Sequence, residues 1–95
     1  MPAFLIADVD VTDPAGYEEY KKGVSVTIAA YQGKYLARGG ATVVLEGDWL
    51  PSRAVIIEFP SMERLKAWYD SPEYEPLKHI RLRTARSRML IIDGV

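Results

Sequence analysis

Apolar residues recur along this chain with the two-residue period of strands. In "AFLIADVDV" (residues 3–11), Leu5, Ala7 and Val9 alternate with Phe4 and Ile6, and the whole stretch is apolar and β-branched enough to read as a strand. Asp13 followed by Pro14 marks a helix start: a carboxylate acceptor for orphan N–H groups, then a residue pre-set at helical φ. The spacing predicts a helix from 14 to about 32, kinked or broken near Gly23, with Gly33 in its C′ position. "KYLARGGATVVLEG" reads as a strand interrupted at Gly39-Gly40, the composition of a bulge or sharp bend. "DWLPS" is a turn, "RAVIIEF" (53–59) is the returning strand, and Pro60 stops it. Ser61 caps a short helix to about 70. Ser71 and Pro72 restart helical structure, which Pro76 divides into a single turn and a new helix to about 86. "RMLIID" (88–93) is the last strand, and Gly94 ends it.

The order is βαββαβ, the ferredoxin-like α+β pattern, with one antiparallel sheet and helices on one face. No repeat, low-complexity tract or linker interrupts it, so residues 1–95 are expected to form a single domain. The strands are apolar on both faces. Val55, Ile57 and Phe59 alternate with Ala54 and Ile56, and Leu90 and Ile92 with Met89 and Ile91. A sheet wetted on one side alternates apolar with polar instead. The helical segments cover one face only, and the simplest cover for the other is a second copy. At about 25 cal/mol per Å², leaving that face in water is a liability comparable with total stability. The expectation is a homodimer packed sheet to sheet through the helix-free face.

Composition narrows the partners. Apolar content of 48% and charged content of 26% are those of an ordinary soluble globular protein. A net charge of −1 gives no global field favouring nucleic acid or anionic lipid. The basic run "KHIRLRTARSR" follows Glu73 and Glu75, an acidic front and basic back that suit the helix dipole, so no nucleic-acid partner is expected. No apolar run approaches the roughly 20 residues of a membrane helix. The N-terminus lacks the basic-then-apolar pattern of a signal peptide, and a cytoplasmic protein is expected. One histidine and no cysteine cannot build a zinc site, the carboxylates lack calcium-loop spacing, and "RGGATVVLEG" lacks the setting of a nucleotide loop. Neither a metal nor a cofactor is expected.

Arg38 is the first candidate for chemistry. Its guanidinium stays charged at ordinary pH, so within an apolar strand it needs a carboxylate, a phosphate or several carbonyls. It anchors an anion or carbonyl in a pocket, or it forms a structural salt bridge to Glu46, Glu58 or Asp8. In either case it is expected to project towards the helices, with the adjacent glycines making room beside it. Tyr17 and Tyr20 lie three apart on one helix face, and Trp68, Tyr69 and Tyr74 cluster at the "SP" junction. Such side chains line a pocket for a planar carboxylate or enolizable carbonyl compound, or they form the helix–sheet core with hydroxyls at its rim. Arg81 follows Tyr74 by seven residues and falls near the same face. His79, in a basic setting, is either a general base or surface decoration. Ligand contact is thus assigned to Tyr17, Tyr20, Arg38, Trp68, Tyr74 and Arg81, with Arg38, Tyr20 and His79 as catalytic candidates.

"YLARGG", the "LEGDW" turn, "VIIEFPS" and "AWYDSPEYEPLKHIR" together resemble the domain of unknown function 1330 family of the dimeric α/β-barrel superfamily. The resemblance spans nearly the whole chain and implies a ferredoxin-like dimer. Relatives in that superfamily include cofactor-free monooxygenases, muconolactone-type isomerases, haem-handling enzymes and stress-responsive proteins, among which fold analogy does not choose. Two functions compete. One is a homodimer binding a small carboxylate or carbonyl compound, with Arg38 stabilising oxyanion charge and a tyrosine exchanging protons. The other is a non-catalytic dimerisation or stress-related interaction module.

Overall fold

The computed structural model describes residues 1–95, as β1 (Ala3–Val11), α1 (Pro14–Ala30), β2 (Lys34–Arg38), β3 (Ala54–Phe59), α2 (Met62–Tyr69), α3 (Glu75–Thr84) and β4 (Ala85–Asp93). The strands form one antiparallel sheet in the order β2-β3-β1-β4. Ala3, Leu5, Ala7 and Val9 of β1 are buried with Val55, Ile57 and Phe59 of β3 against Val24, Ile28, Leu65 and Trp68 of the helices. This is the ferredoxin-like α+β fold expected from the element order. It has two layers, and the molecule measures 16 Å through its thinnest axis. No helix is long and apolar enough to cross a membrane.

Local signals set most boundaries. Asp13 Oδ1 accepts the Gly16 N–H at 3.2 Å with Pro14 opening α1, and Ser61 Oγ accepts the Arg64 N–H at 3.1 Å ahead of α2. α1 is not broken at Gly23. A Cβ there would lie 3.0 Å from the Leu77 side chain, so this glycine serves a close crossing of α1 and α3. At the C-terminus of α1 the left-handed residue is Gln32, with φ 61°, not Gly33. The Gln32 N–H donates to Ala29 O at 3.0 Å and the Gly33 N–H to Ile28 O at 2.9 Å, the paired bonds of a Schellman motif. Gly33 lies under Phe59, whose ring would stand 2.6 Å from an added Cβ. The helical restart after Ser71 divides at Pro76 as expected, with a turn before α3. α3 ends at Thr84 and β4 starts at once with Ala85, earlier than the expected residue 88.

The strand expected to resume after the glycine pair does not. β2 stops at Arg38, Gly39 turns at φ 69°, and residues 39–53 contain no strand. β2 is an edge strand, and beyond the Arg38–Val55 pair the chain leaves β3 with no other strand beside it. A ladder needs a partner, so apolar residues that would favour a strand remain irregular and in solvent, with Leu45 91% exposed. The return to β3 is pinned by Asp8, whose carboxylate accepts Trp49 Nε1–H at 3.1 Å and the Ser52 N–H at 2.9 Å. The Trp49 bond is the main reason the Asp8 carboxyl is held below its ordinary value. Phe4, Ile6 and Ile56 on the helix-free face are only half-buried, and Leu90 and Ile92 are exposed there.

Candidate functional site

Between the sheet and the helices lies a cavity of about 30 Å³, room for about two waters at 10–15 Å³ each. Leu5, Ala7, Val9, Val55, Ile57 and Met89 line it from the sheet, and Tyr17, Tyr20, Lys21 and Val24 from α1. Tyr35 and Arg38 of β2, Arg53 at the entry to β3, Trp68 of α2 and Arg81 of α3 complete the wall. Four of these side chains are cationic and none is a carboxylate.

Arg38 reaches the cavity through a bulge. Tyr35 pairs with Ile57, Ala37 with Ile56 and Arg38 with Val55, so Leu36 is an extra residue with no opposite number. Without it, Arg38 would face away from Tyr35, three residues back on a strand of period two. With it, both face the helices, and the Arg38 guanidinium lies over the Tyr35 ring, 4.4 Å from its centroid. Arg38 therefore points towards the helices as expected, but it is exposed at the cavity mouth and has no salt bridge to Glu46, Glu58 or Asp8. Glu58 lies 4.0 Å from Lys34 instead, and Asp8 holds the return turn. The room expected beside Arg38 goes to another residue. A Cβ on Gly39 would meet Arg53 Nη1 at 2.9 Å and Cζ at 3.0 Å, so Gly39 makes room for Arg53, while Gly40 has nothing within 4 Å.

The arginine on the floor is Arg81, 3% exposed and outside every ion pair. Its Nε–H donates to the Tyr74 hydroxyl at 3.2 Å, and the Tyr74 and Tyr20 hydroxyls are 2.8 Å apart. The aromatic residues expected around it do converge. Tyr17 stacks on Tyr20 at 5.2 Å, Tyr20 meets Tyr74 edge-on at 6.2 Å, and Trp68 tilts against Tyr74 at 4.2 Å. Trp68 is fixed by its Nε1–H, which donates to Thr27 Oγ1 at 3.0 Å. Tyr74 is fully buried behind Tyr20 and supports the wall without lining it. Burial, then the neighbouring Tyr74, push the Tyr20 hydroxyl far above its ordinary pKa. Burial raises Tyr17 and Tyr35 as well. These groups are neutral hydroxyls at physiological pH, suited to hydrogen bonding rather than to the proton exchange expected of a tyrosine.

His79 is not part of this arrangement. It lies on the exposed side of α3 with Nε2 3.5 Å from Glu75 Oε1. Nowhere do three or more His, Asp or Glu side chains converge. Lys21, Tyr35 and Arg53 are wall residues absent from the sequence-based set. Arg53 carried a readable signal: it shares odd parity with Val55, Ile57 and Phe59, which turn inward. Its Nε is buried with no hydrogen-bond partner, although the head group lies at a cavity wall.

The fold and topology define a ferredoxin-like α+β protein, of a kind for which several solved examples are dimers. The chain belongs to the family described as Domain of unknown function (DUF1330), which matches residues 2–95. No curated protein matches it. Among solved structures it is similar to a protein of unknown function from Rhodopseudomonas palustris, at TM-score 0.79 and 18% identity, covering 99% of this chain and 82% of that one. A dimeric ferredoxin-like protein of unknown function from Thermobifida fusca gives TM-score 0.66 at 18% identity, over 99% and 92% of the two chains. SnoaB, a cofactor-independent oxygenase from Streptomyces nogalater, gives TM-score 0.66 at 12% identity, over 99% and 93%. At these identities the likeness concerns the fold alone.

Proposed function

We propose that this protein binds a small organic carboxylate or carbonyl compound in the cavity between sheet and helices. One observation carries the reading: Lys21, Arg38, Arg53 and Arg81 line an otherwise apolar and aromatic cavity that contains no carboxylate. Buried charge is tolerated when it is paired, yet buried Arg81 has no carboxylate partner, and of the other three cations only Lys21 has one, Glu18 at 3.2 Å. An anion or strongly polarised oxygen in the cavity supplies what the buried Arg81 and the unpartnered Arg53 Nε lack, with Arg38 at the mouth adding to the field. The volume suits a ligand of a few heavy atoms, and Arg38 stands exposed at the mouth.

The chemistry such a site equips is stabilisation of negative charge on oxygen, common to cofactor-free oxygenation and to enolisation in isomerases. With His79 and all carboxylates outside the wall, the usual neutral-pH bases are missing, so binding is better supported than catalysis. A fold shared with a cofactor-independent oxygenase is compatible with either. The working form is a homodimer through the helix-free face. The half-buried Phe4, Ile6 and Ile56, the exposed Leu90 and Ile92, and the dimeric state of similar structures support it.

Thermal unfolding in acetate, pyruvate or acetone, with chloride and ethylammonium as controls at equal ionic strength, tests the binding reading. A carboxylate at a hundred times its Kd stabilises by about 2.7 kcal/mol. A melting temperature no higher in any of the three than in chloride refutes the proposal.

A further inference from the structure

We propose that Arg81, acting through Tyr74, fixes the Tyr20 hydroxyl as a hydrogen-bond donor into the cavity, so that the ligand must present an acceptor oxygen there. The argument is one of proton accounting. A guanidinium has donors only, so in the 3.2 Å contact Arg81 Nε–H donates and the Tyr74 oxygen accepts. Tyr74 is fully buried, and the only acceptor within reach of its own proton is the Tyr20 oxygen at 2.8 Å. The reverse sense, Tyr20 donating to Tyr74, would leave the Tyr74 proton buried without an acceptor. Tyr20 therefore accepts from Tyr74, and its own proton has no protein partner. Tyr20, unlike Tyr74, lines the cavity. Two successive bonds starting at a cation polarise each other in the same sense, which strengthens the terminal donor.

The inference rests on the binding role proposed above and narrows it. Charge alone would admit any small anion. A fixed hydroxyl donor also favours a neutral ketone over molecules of equal size that offer only donors, and it suits a ketone becoming an enolate, whose oxygen gains negative charge as the bond strengthens. Arg81 and Tyr74 are positioning residues in this scheme, and Tyr20 makes the contact. Burial of Tyr20 favours its protonated form and so preserves the donor.

Acetone and acetate titrations followed by amide chemical shifts test this, using wild type, Tyr20→Phe and Tyr74→Phe. Acetone carries no charge, so its affinity should fall about tenfold in Tyr20→Phe, the size of one lost hydrogen bond. Tyr74→Phe keeps the Tyr20 hydroxyl but frees its sense. It should weaken acetone more than acetate, a split that mere loosening of the fold would not produce. Hydroxyl-proton exchange gives a readout that needs no ligand: the Tyr74 proton, held in its bond, should exchange more slowly than that of Tyr20. Wild type that binds both probes, with Tyr20→Phe binding acetone equally well, overturns the donor assignment and leaves the binding role standing. Wild type that binds neither overturns both. Faster exchange at Tyr74 than at Tyr20 overturns the proton order.

Discussion

Replacing Arg81 with methionine should raise stability and abolish the response to anions in one step. The guanidinium is 3% exposed, has one hydrogen bond through Nε and has no carboxylate partner. Exchanging buried ionic groups for well-packed apolar ones of similar volume is neutral or stabilising by about 1–4 kcal/mol. Losing the bond to Tyr74 returns about 1 kcal/mol of that, and Tyr74 keeps Tyr20 as a partner. The net gain expected is about 0–3 kcal/mol, centred on about 1–2, and for a chain of this length about 1–2 kcal/mol raises Tm by about 5–15 °C. Calorimetric unfolding with and without acetate reads both effects: the wild-type transition moves up with acetate, whereas Arg81→Met starts higher and stays put. A loss of about 3–5 kcal/mol would mean that a carboxylate had been stranded, and an undiminished acetate response would mean that the anion sits elsewhere. Either result refutes the reasoning.

The structure decides between two neighbouring positions on β1: Ile6→Glu, on the helix-free face, should give folded monomers in sedimentation, and Leu5→Glu, only 2% exposed under the helices, should unfold the chain. A folded dimer from Ile6→Glu would move the interface to another surface. Gly39→Ala must hold a β-carbon at φ 69° and press on Arg53, so denaturant titration should show a loss of about 1–2 kcal/mol together with a weaker carboxylate response. Unchanged values for both would remove the role given to Gly39. Tyr20 ionises above 10.0 in the folded state, while the unfolded chain releases that proton near 10.0. The contribution of Tyr20 should therefore be complete below pH 10 and fall above it by about 1.4 kcal/mol per pH unit, on top of losses of the same sign from Tyr17 and Tyr35. Tyr20→Phe should make the fall shallower by that amount, and an equally steep one would show that other groups alone cause it.

Strand parity and capping chemistry were legible because they are local. The odd positions of β1 and β3 face inward as their alternation indicates, and Asp13 and Ser61 cap where their spacing places them. The misses are decided by contacts between distant segments. Gly23 resembles a helix breaker until Leu77 is seen against it, and Gly33 resembles a left-handed cap until Phe59 occupies the space over it. "ATVVLEG" has strand propensity but lacks a neighbour. At the site, Tyr17 with Tyr20 and Tyr74 with Arg81 were readable from helical spacing, and Trp68 from its place beside the "SP" junction, whereas Tyr35 was not. Arg53 is readable from parity, two positions before the inward-facing Val55. That Arg38 lines the mouth and Arg81 the floor could not be read, since the first depends on the bulge at Leu36 and the second on how α3 packs against α1.

The extra residue at Leu36 has a consequence for comparing this chain with its relatives. Which side of the sheet carries the charge of Arg38 depends on the pairing register between it and Tyr35, and not on the identity of any residue in between. A relative with the same tyrosine and arginine at this spacing but a regular ladder would turn its guanidinium outward, onto the helix-free face beside Ile56, whereas a relative lacking the extra residue would keep the arginine two positions on and facing the helices. Two sequences can thus share both side chains and still differ in where the positive charge sits. A ladder drawn residue by residue from the strand opposite, rather than matching letters in a column, tells which relatives keep an arginine at the cavity mouth.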